Sequence, residues 1–335
     1  MLIYILKRII MIIPVLIGLS LLLFVISRLL PGDPVGLAAG PRATLEQIEA
    51  LRVEFGLDKS LPVQYFNYIA GLLSGDWGAS LITRRPVLDD LRIYLPATLE
   101  LVVFSMTLSV IIGVPLGILS AVRPGGRLDV VVRIASLASL SMPRFFLGLM
   151  LQLFFAMLLA WFPLGGRFPF IVFPPPNVTG FMTIDSLVAG DIQAFGLSLK
   201  HLALPSIAMA LSPMATILQL TRASTIETLN QDYVKTARAM GLSQRLILFK
   251  YVLKNSLSAT LTMTALFVGW ALSGTVLVET IFDWPGIGLY ATHSVISQDF
   301  MPILGVSIVI GLIFIIINLI ADLLYGMLNP KVQYK

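Results

Sequence analysis

The sequence contains no cysteine and only two histidines in 335 residues. The absence of cysteine excludes disulfides, thiolate metal sites and cysteine nucleophiles. His201 and His293 lie far apart, without a carboxylate at the spacing of a metal-binding motif, so we expect no histidine-rich metal site. The sequence also lacks the G-x-x-x-x-G-K-[ST] loop that cradles ATP phosphates. We therefore expect a non-catalytic chain that holds no cofactor, and any ATP and Mg²⁺ would belong to partner subunits.

Charged residues are scarce as well. They make up 12% of the chain against 57% hydrophobic residues, and the mean hydropathy is +0.91. This composition excludes an ordinary soluble domain and predicts a polytopic membrane protein with room for about six spans of roughly 20 residues. The net charge of +5 does not indicate a nucleic-acid partner, because basic residues in membrane proteins are sorted by the side of the bilayer.

The apolar runs predict an all-α fold of six transmembrane helices. These runs lie approximately at 9–30, 97–121, 137–162, 202–220, 258–280 and 303–325. The first run follows Lys7 and Arg8 like a secretory signal, but it is longer than the apolar region of a signal peptide and has no small-residue cleavage site. We interpret it as a retained membrane anchor.

The loops between these runs predict the orientation. One side carries the basic residues Lys7, Arg8, Arg123, Arg127, Arg133, Arg222, Lys235, Arg238, Arg245, Lys250, Lys254, Lys331 and Lys335. The opposite side carries the acidic residues Glu46, Glu49, Glu54, Asp58, Asp76, Asp89 and Asp90. Because cytoplasmic loops are enriched in lysine and arginine, the basic side is the cytoplasm and both termini are predicted to lie there.

This topology divides the chain into four parts. Residues 1–30 form the first helix, 31–96 a small extracytoplasmic subdomain, 97–330 the transmembrane core, and 331–335 a cytoplasmic tail. Within the subdomain, Thr44 and Gln47 predict a capping box at a helix start. A second external segment covers 163–200, where the proline-rich stretch 173–177 cannot be helical and 185–200 is predicted to be an interfacial helix.

The most informative segment is the cytoplasmic loop 222–257, which contains the sequence DYVKTARAMGLSQRLILFKYVLKNSL. Ala237 and Ala239 precede Gly241, which can end one helix and turn the chain, and a basic amphipathic run follows. This pattern resembles the cytoplasmic loop of the inner-membrane permease subunits of ATP-binding cassette importers. The resemblance implies that Ala237, Arg238, Ala239, Gly241 and Leu242 form a coupling helix that docks on the ATPase subunit.

Further motifs extend the resemblance over nearly the whole chain. They are ProGlyAspPro at 31–34, GlyAspTrpGlyAlaSer at 75–80, ProAlaThrLeuGlu at 96–100, SerMetPro at 141–143 and GluThrIlePheAspTrpProGlyIleGly at 279–288. Together they are similar to the dipeptide and oligopeptide permeases, and the segment 177–185 is similar to the dipeptide B-type. This resemblance implies the type I importer permease fold in a bacterial inner membrane. It also implies a second homologous permease, two ATPase subunits, an extracytoplasmic substrate-binding protein and a peptide cargo, with the surrounding lipid as the remaining partner.

Two features predict residues of a translocation path or gate. Arg144 follows a helix-bending proline within a span, where a charge is costly unless it pairs, faces water or lies nearer the interface than the span suggests. The other feature is the segment after the fifth span, with the residues Glu279, Asp283, Trp284, Pro285 and Gly286. Its glycine and proline favour an irregular loop lining an outer gate, and the alternative is a rigid turn with an interfacial tryptophan.

Two other functional classes would require features that differ from this interpretation. An ion-coupled secondary transporter would require membrane-buried acidic residues and paired discontinuous helices, but the span interiors are nearly free of carboxylates. An intramembrane enzyme would require a catalytic constellation at membrane depth, which the sequence does not offer at convincing spacing. The cargo stays open, because permeases of this type also carry nickel chelates, glutathione or haem.

Overall fold

The computed structural model describes residues 2–29, 39, 43–54 and 56–328. In this part of the chain the regular structure is helical, and the only β-pairing is one isolated bridge between Ala79 and Pro86. The helices are α1 (Leu2–Leu29), α2 (Leu45–Glu54), α3 (Leu61–Ser74), α4 (Val87–Val122), α5 (Arg127–Ser141), α6 (Arg144–Leu151), α7 (Met182–Val188), α8 (Ile192–Leu229), α9 (Asp232–Ala239), α10 (Gln244–Leu246), α11 (Leu253–Ile281), α12 (Ile287–Ile296) and α13 (Phe300–Leu328). Two π-helical stretches, Gln152–Leu158 and Ile247–Val252, continue α6 and α10. The all-α prediction is confirmed.

Several of these helices are long and apolar enough to cross a membrane. Within the described residues they are Val87–Val122, Ile192–Leu229, Thr260–Ile281 and Phe300–Ala321. A fifth candidate is the pair Arg127–Ser141 and Arg144–Leu158, which is bent by 109° at the break. The bend confirms the effect predicted for Pro143. Residues 10–26 of α1 form a shorter apolar helix. The count of six spans stays a prediction, and the segments 31–34 and 331–335 lie outside the described residues.

The chain forms two compact units. The first contains the residues up to Ala97 together with Pro285–Ile315. Its core is a cluster of buried apolar side chains from α4, α12 and α13: Val87, Leu91, Ile287, Tyr290 and Val306. The predicted capping box is present at the start of α2, since Thr44 Oγ1 accepts from the Gln47 N–H at 3.3 Å and Gln47 Oε1 accepts from the Thr44 N–H at 2.9 Å.

The second unit contains Thr98–Trp284 and the chain from Ile316 onward. Inside it, α4 approaches α8 closely because small residues allow their backbones to meet. A Cβ added at Gly117 would lie 2.7 Å from the Leu218 carbonyl oxygen and 2.8 Å from Cβ of Thr221. A Cβ at Gly113 would lie 3.0 Å from the Met214 carbonyl oxygen. The two helices can keep this spacing only with glycine at these positions.

Gly117→Ala is therefore expected to destabilise the protein. The new methyl group meets backbone atoms that cannot rotate away, so the helices must separate, at a cost of about 1–3 kcal/mol. Gly18→Ala is the matched control, because a Cβ at this helical glycine meets nothing within 4 Å. The control should be neutral or slightly stabilising, since alanine favours helix more than glycine does. Thermal unfolding in detergent measures both, and equal midpoints for the two variants would contradict the close approach.

The second external segment differs from its prediction in one respect. The proline-rich stretch 173–177 is non-helical as predicted. The single helix predicted over 185–200 is wrong, because α7 ends at Val188, Gly190 adopts a φ of +70°, and Asp191 caps the start of α8 by accepting from the Ala194 N–H at 2.8 Å. The sequence did not indicate this break, because the apolar residues keep their helical spacing across it. α8 then extends well beyond the span predicted at 202–220.

Candidate functional site

The loop 222–257, which is predicted to be cytoplasmic, has a small apolar core of its own. Val234 and Ala237 of α9 pack with Ile247 and Val252 of the following π-helical stretch, and all four side chains are buried. The turn between them is made by Gly241 at a φ of +78°, directly after the C-cap residue of α9. This confirms the prediction that the glycine ends the helix. Because Ala237 lies inside this core, it supports the shape of the loop and does not lie on its surface.

The loop leaves several large apolar side chains exposed among its charged residues. Arg238, Ala239 and Gly241 are exposed, and Leu242 is half-buried against the core. The exposed fractions of Met240 and Phe249 are 66% and 69%, which is high for large apolar side chains. Tyr233 and Leu246 are also exposed. Large apolar side chains left exposed on a folded loop are available to a protein partner or a membrane, and docking on a partner is the predicted role of this loop. We call Ala239, Met240, Gly241 and Phe249 the docking face.

Polar contacts hold the loop and its flanks in place. Asn255 Nδ2 donates to the Tyr233 hydroxyl at 2.8 Å, which ties the end of the loop to α9. Lys235 donates to Asp232 at 2.9 Å, and this hydrogen bond holds the pKa of the exposed Asp232 carboxyl below its usual range. The pair is solvent-exposed, so its contribution to stability is small.

Before the loop, α8 is anchored by a buried ion pair. Arg222 donates two hydrogen bonds to the Asp129 carboxylate, at 2.6 and 2.8 Å. The same carboxylate accepts from the Ser120 hydroxyl and from the Gly125 N–H at 2.9 Å. Because Asp129 is fully buried and Arg222 half-buried, this bidentate pair fixes the last turns of α8 against the turn between α4 and α5.

The segment at the end of α11 forms a tight left-handed cap. The Trp284 N–H donates to the Glu279 carbonyl oxygen at 2.9 Å, across Asp283, whose φ is +48°. Glycine usually occupies this position, so the aspartate is held in a strained conformation by its surroundings. Asp283 is exposed, whereas Trp284 is buried to 1% exposure. The burial of Trp284 argues against an exposed interfacial anchor, and the gate assignment stays a prediction.

A buried polar network surrounds this cap. Glu279 Oε1 accepts from the Thr98 hydroxyl at 2.7 Å, and the Arg167 guanidinium carbon lies 5.8 Å from the centre of the Trp284 ring. Arg167 also donates from Nε at 3.0 Å to the buried Glu100 carboxylate, which in addition accepts from the N–H and hydroxyl of Thr183. Glu100 thereby connects α4 to the second external segment.

Sequence reasoning missed the role of Glu100 and Arg167. Glu100 belongs to the ProAlaThrLeuGlu motif, but its partner lies 67 residues away and no local pattern indicates the pairing.

The second external segment also covers the end of α11 directly. The Gly166 N–H donates to the Phe282 carbonyl oxygen at 2.8 Å, and Gln152 Nε2 donates to the carbonyl oxygens of Ile281 at 2.9 Å and Leu164 at 2.8 Å. A Cβ at Gly165 would lie 2.5 Å from the Phe282 carbonyl oxygen. The carbonyl groups of Ile281 and Phe282, which have no partner within the helix, are thus satisfied by Gln152 and by this segment, respectively.

In the first unit, Pro285 and Gly286 line a cavity of about 250 Å³ together with Thr83, Tyr94 and His293. Nearby, the buried Asp90 accepts from the Tyr290 hydroxyl at 2.8 Å and pairs with Arg85 at 2.7 Å.

A second buried carboxylate of this unit, Asp299, accepts from the Ser80 hydroxyl at 2.7 Å and from the Leu81 N–H at 2.8 Å. Burial raises the pKa of the Asp299 carboxyl despite these donors. The pKa of the Tyr290 hydroxyl is raised by burial and by its hydrogen bond to Asp90. These contacts brace the unit around Tyr290.

The predicted site residues therefore fall into separate places. The docking face lies on the loop 222–257, Glu279, Asp283 and Trp284 lie at the C-terminal end of α11, and Arg144 lies beside Gly274 in the last third of α11. In the described part of the chain, no group of three or more histidine, aspartate or glutamate side chains is arranged to hold a metal ion. These residues present an exposed loop surface and helices held together by buried polar contacts, an arrangement that suits a membrane permease.

Comparison with known proteins agrees with this geometry. Residues 113–334 match the family model of the binding-protein-dependent transport system inner membrane component, and residues 1–102 match the model of its N-terminal part. A probable D,D-dipeptide transport system permease protein of Escherichia coli is 41% identical over 94% of this chain and 93% of its own. A dipeptide transport system permease protein of Alkalihalophilus pseudofirmus is 39% identical over the full length of both chains. A glutathione transport system permease protein of Pectobacterium atrosepticum is 35% identical, again over both full lengths.

The fold and the loop define a polytopic membrane permease. The chain belongs to the family of inner-membrane components of binding-protein-dependent transport systems, within the group of ATP-binding cassette permeases similar to the dipeptide type. It is thus a multi-pass protein of the inner membrane. The family and the relatives support the importer interpretation and give the ion-coupled transporter no support.

Proposed function

We propose that this chain forms the translocation path for di- or oligopeptides as one permease subunit of an ATP-driven importer, and that its docking face receives an ATPase subunit. The observation that carries the proposal is the cytoplasmic loop. Its own buried core holds its shape, while Met240 and Phe249 present apolar surface outward. A large apolar side chain left exposed on a braced loop is suited to a pocket on a protein partner.

The energy for transport comes from the partner. ATP binding closes two ATPase subunits together, and the docking face moves with the subunit that it contacts. The loop core joins this movement to α11 through the π-helical stretch Ile247–Val252, which continues directly into that helix. A rigid-body change of this kind converts the permease between inward-open and outward-open states. The loop shifts this equilibrium because the two states of the ATPase bind it with different free energies.

The assembly contains a second, homologous permease chain and an external substrate-binding protein that delivers the cargo. Both termini of this chain lie in the cytoplasm, and the residues of the first unit between 43 and 96 face the opposite side. The outer end of α11, with Glu279, Asp283 and Trp284, is the part of the path nearest to the delivered cargo. Peptide is the favoured cargo, because the dipeptide permeases named above are 41% and 39% identical to this chain, against 35% for the glutathione permease.

Purification of the tagged chain from its native membrane tests this proposal. The expected result is recovery of a P-loop ATPase and a homologous permease in a mild detergent, with ATP hydrolysis stimulated by peptide-loaded binding protein. Recovery of the chain without an ATPase would contradict the importer. Stimulation by a glutathione-loaded or chelate-loaded binding protein, but not by a peptide-loaded one, would keep the importer and change the cargo.

A further inference from the structure

Arg144 occupies the break of a bent membrane span. Helix α5 ends at Ser141, Met142 and Pro143 are extended, and α6 begins at Arg144. Only together are the two helices long and apolar enough to enter the membrane as one broken span or as a re-entrant loop, and the bend between them is 109°. A cation at this position lies between two apolar half-helices, where the chain has no other charged residue from 134 to 158.

Contacts with α11 give the depth of this cation. The guanidinium of Arg144 covers Gly274, where an added Cβ would overlap Nη1 and lie 3.5 Å from Cζ. Further along α6, a Cβ at Gly148 would lie 3.3 Å from the Phe282 ring. The span Thr260–Ile281 ends seven residues after Gly274, which is about 10 Å at the helical rise. Arg144 therefore lies well inside a hydrocarbon layer of about 30 Å.

In the described part of the chain, the side chain has no counter-ion at this depth. Among the described residues, no carboxylate lies within 4 Å of Arg144 and no hydrogen bond to its guanidinium occurs. Helices α8 and α11 pack against α6. The acidic residue of α11 is Glu279, which is buried and accepts from Thr98, and the acidic residue of α8 is Glu227, near its cytoplasmic end.

An unpaired cation at membrane depth is unfavourable, so such a position is a candidate for function. Arg144 is only part-buried, so part of the side chain is accessible to a ligand.

We propose that Arg144 binds the terminal carboxylate of the cargo peptide as it passes through the membrane. The proposal rests on peptide import as the function. The planar guanidinium donates two parallel hydrogen bonds to a carboxylate, which an amide or an ammonium group cannot accept in the same way. Every peptide with a free C-terminus carries this group whatever its side chains are. One fixed arginine therefore recognises peptides of many sequences, while the single contact is weak enough for release.

The test uses the complete transporter in proteoliposomes with its own binding protein. The probes are labelled L-Ala-L-Ala and its C-terminal amide, each at a concentration that fully loads the binding protein. For each peptide, uptake by Arg144→Met is divided by uptake by the wild type, so that differences in delivery by the binding protein cancel. The expected loss is about ten-fold or more for the free carboxylate and less than about two-fold for the amide. Arg133→Met is the matched control, because Arg133 is exposed on α5, and it should change neither ratio.

A second variant keeps the positive charge of Arg144 but displaces its guanidinium. In Gly274→Ala the new methyl group overlaps only the flexible end of Arg144, so the fold should survive while the guanidinium is displaced. We expect the same selective loss for the free carboxylate as in Arg144→Met. Gly196→Ala is its control, since nothing lies within 4 Å of a Cβ there.

Four outcomes would overturn the carboxylate site. They are equal losses for both peptides, no loss for either, loss of the second permease chain from purified Arg144→Met, and unchanged selectivity in Gly274→Ala. The third outcome would assign Arg144 to the contact between permease chains. A wild-type transporter that moves neither peptide is a different result, because it would overturn peptide import itself.

Discussion

Met240→Glu is expected to abolish productive coupling to the ATPase. Met240 is 66% exposed and lies beside the left-handed turn at Gly241, so a glutamate there leaves the loop core intact. In the complex, however, its charge must enter an apolar contact without a partner. Loss of a central apolar anchor in an interface costs about 2 kcal/mol or more, which weakens binding by roughly 30-fold.

The measurement has two parts. The first is retention of the ATPase during purification, and the second is hydrolysis stimulated by loaded binding protein. Both should fall, whereas insertion and thermal stability of the isolated permease should not change. Leu45→Glu is the control, because Leu45 is a large exposed side chain on α2, outside the cytoplasmic loop. If Met240→Glu kept its ATPase and its stimulated hydrolysis, the docking face would be misassigned.

Ala237→Glu gives a useful contrast to Met240→Glu. Ala237 is buried among Val234, Ile247 and Val252, so a glutamate there cannot be accommodated without opening the loop core. We expect this variant to lose coupling together with protection of the loop against proteolysis. Met240→Glu should lose coupling alone. Limited proteolysis on the cytoplasmic side separates the two effects, and identical cleavage of both variants would contradict the burial of Ala237.

Arg167→Met is expected to cause the largest loss of stability. It removes the guanidinium that satisfies the buried Glu100 carboxylate and lies over the Trp284 ring. Removing one member of a buried ion pair leaves the other charge uncompensated, at a cost of about 3–5 kcal/mol. The second external segment should also loosen at the end of α11, because Gly166 and Gln152 cover the carbonyl groups there.

The double variant Arg167→Met with Glu100→Gln tests this explanation. Without the buried charge, much of the lost stability should return, and thermal unfolding in detergent measures the recovery. Arg92→Met is the matched control, because Arg92 and its partner Asp89 are largely exposed and should contribute less than about 1 kcal/mol. A loss from Arg167→Met no larger than that of the control would contradict the network.

Local sequence signals predicted the parts of the structure that depend on neighbouring residues. The bend at Pro143, the helix end at Gly241 and the capping box of Thr44 follow from the geometry of single residues and short spacings, and all three are confirmed. The helical fold follows from the length of the apolar runs. The family followed from the loop motif together with the landmarks along the chain.

The features that the sequence did not predict depend mainly on pairs of residues that are distant in sequence. Glu100 and Arg167 meet only because α4 and the second external segment converge on the end of α11. The burial of Ala237 is set by the π-helical stretch after the turn, for which the sequence has no recognised signal. The break between α7 and α8 follows from Gly190 and Asp191, whose turn and capping roles were masked by an apolar periodicity that continues across them.

Helix α8 has a mechanical consequence for the second unit. Its 38 residues make a rod of about 57 Å at the helical rise, well beyond a hydrocarbon layer of about 30 Å. Asp191 caps its first turn, and Arg222 fixes its last turns against Asp129. Pro205 and Pro213 lie between them, and each removes one helical hydrogen bond. We therefore expect the helix to bend most easily at these two prolines, so that a displacement of the loop can leave the contact between Arg222 and Asp129 intact.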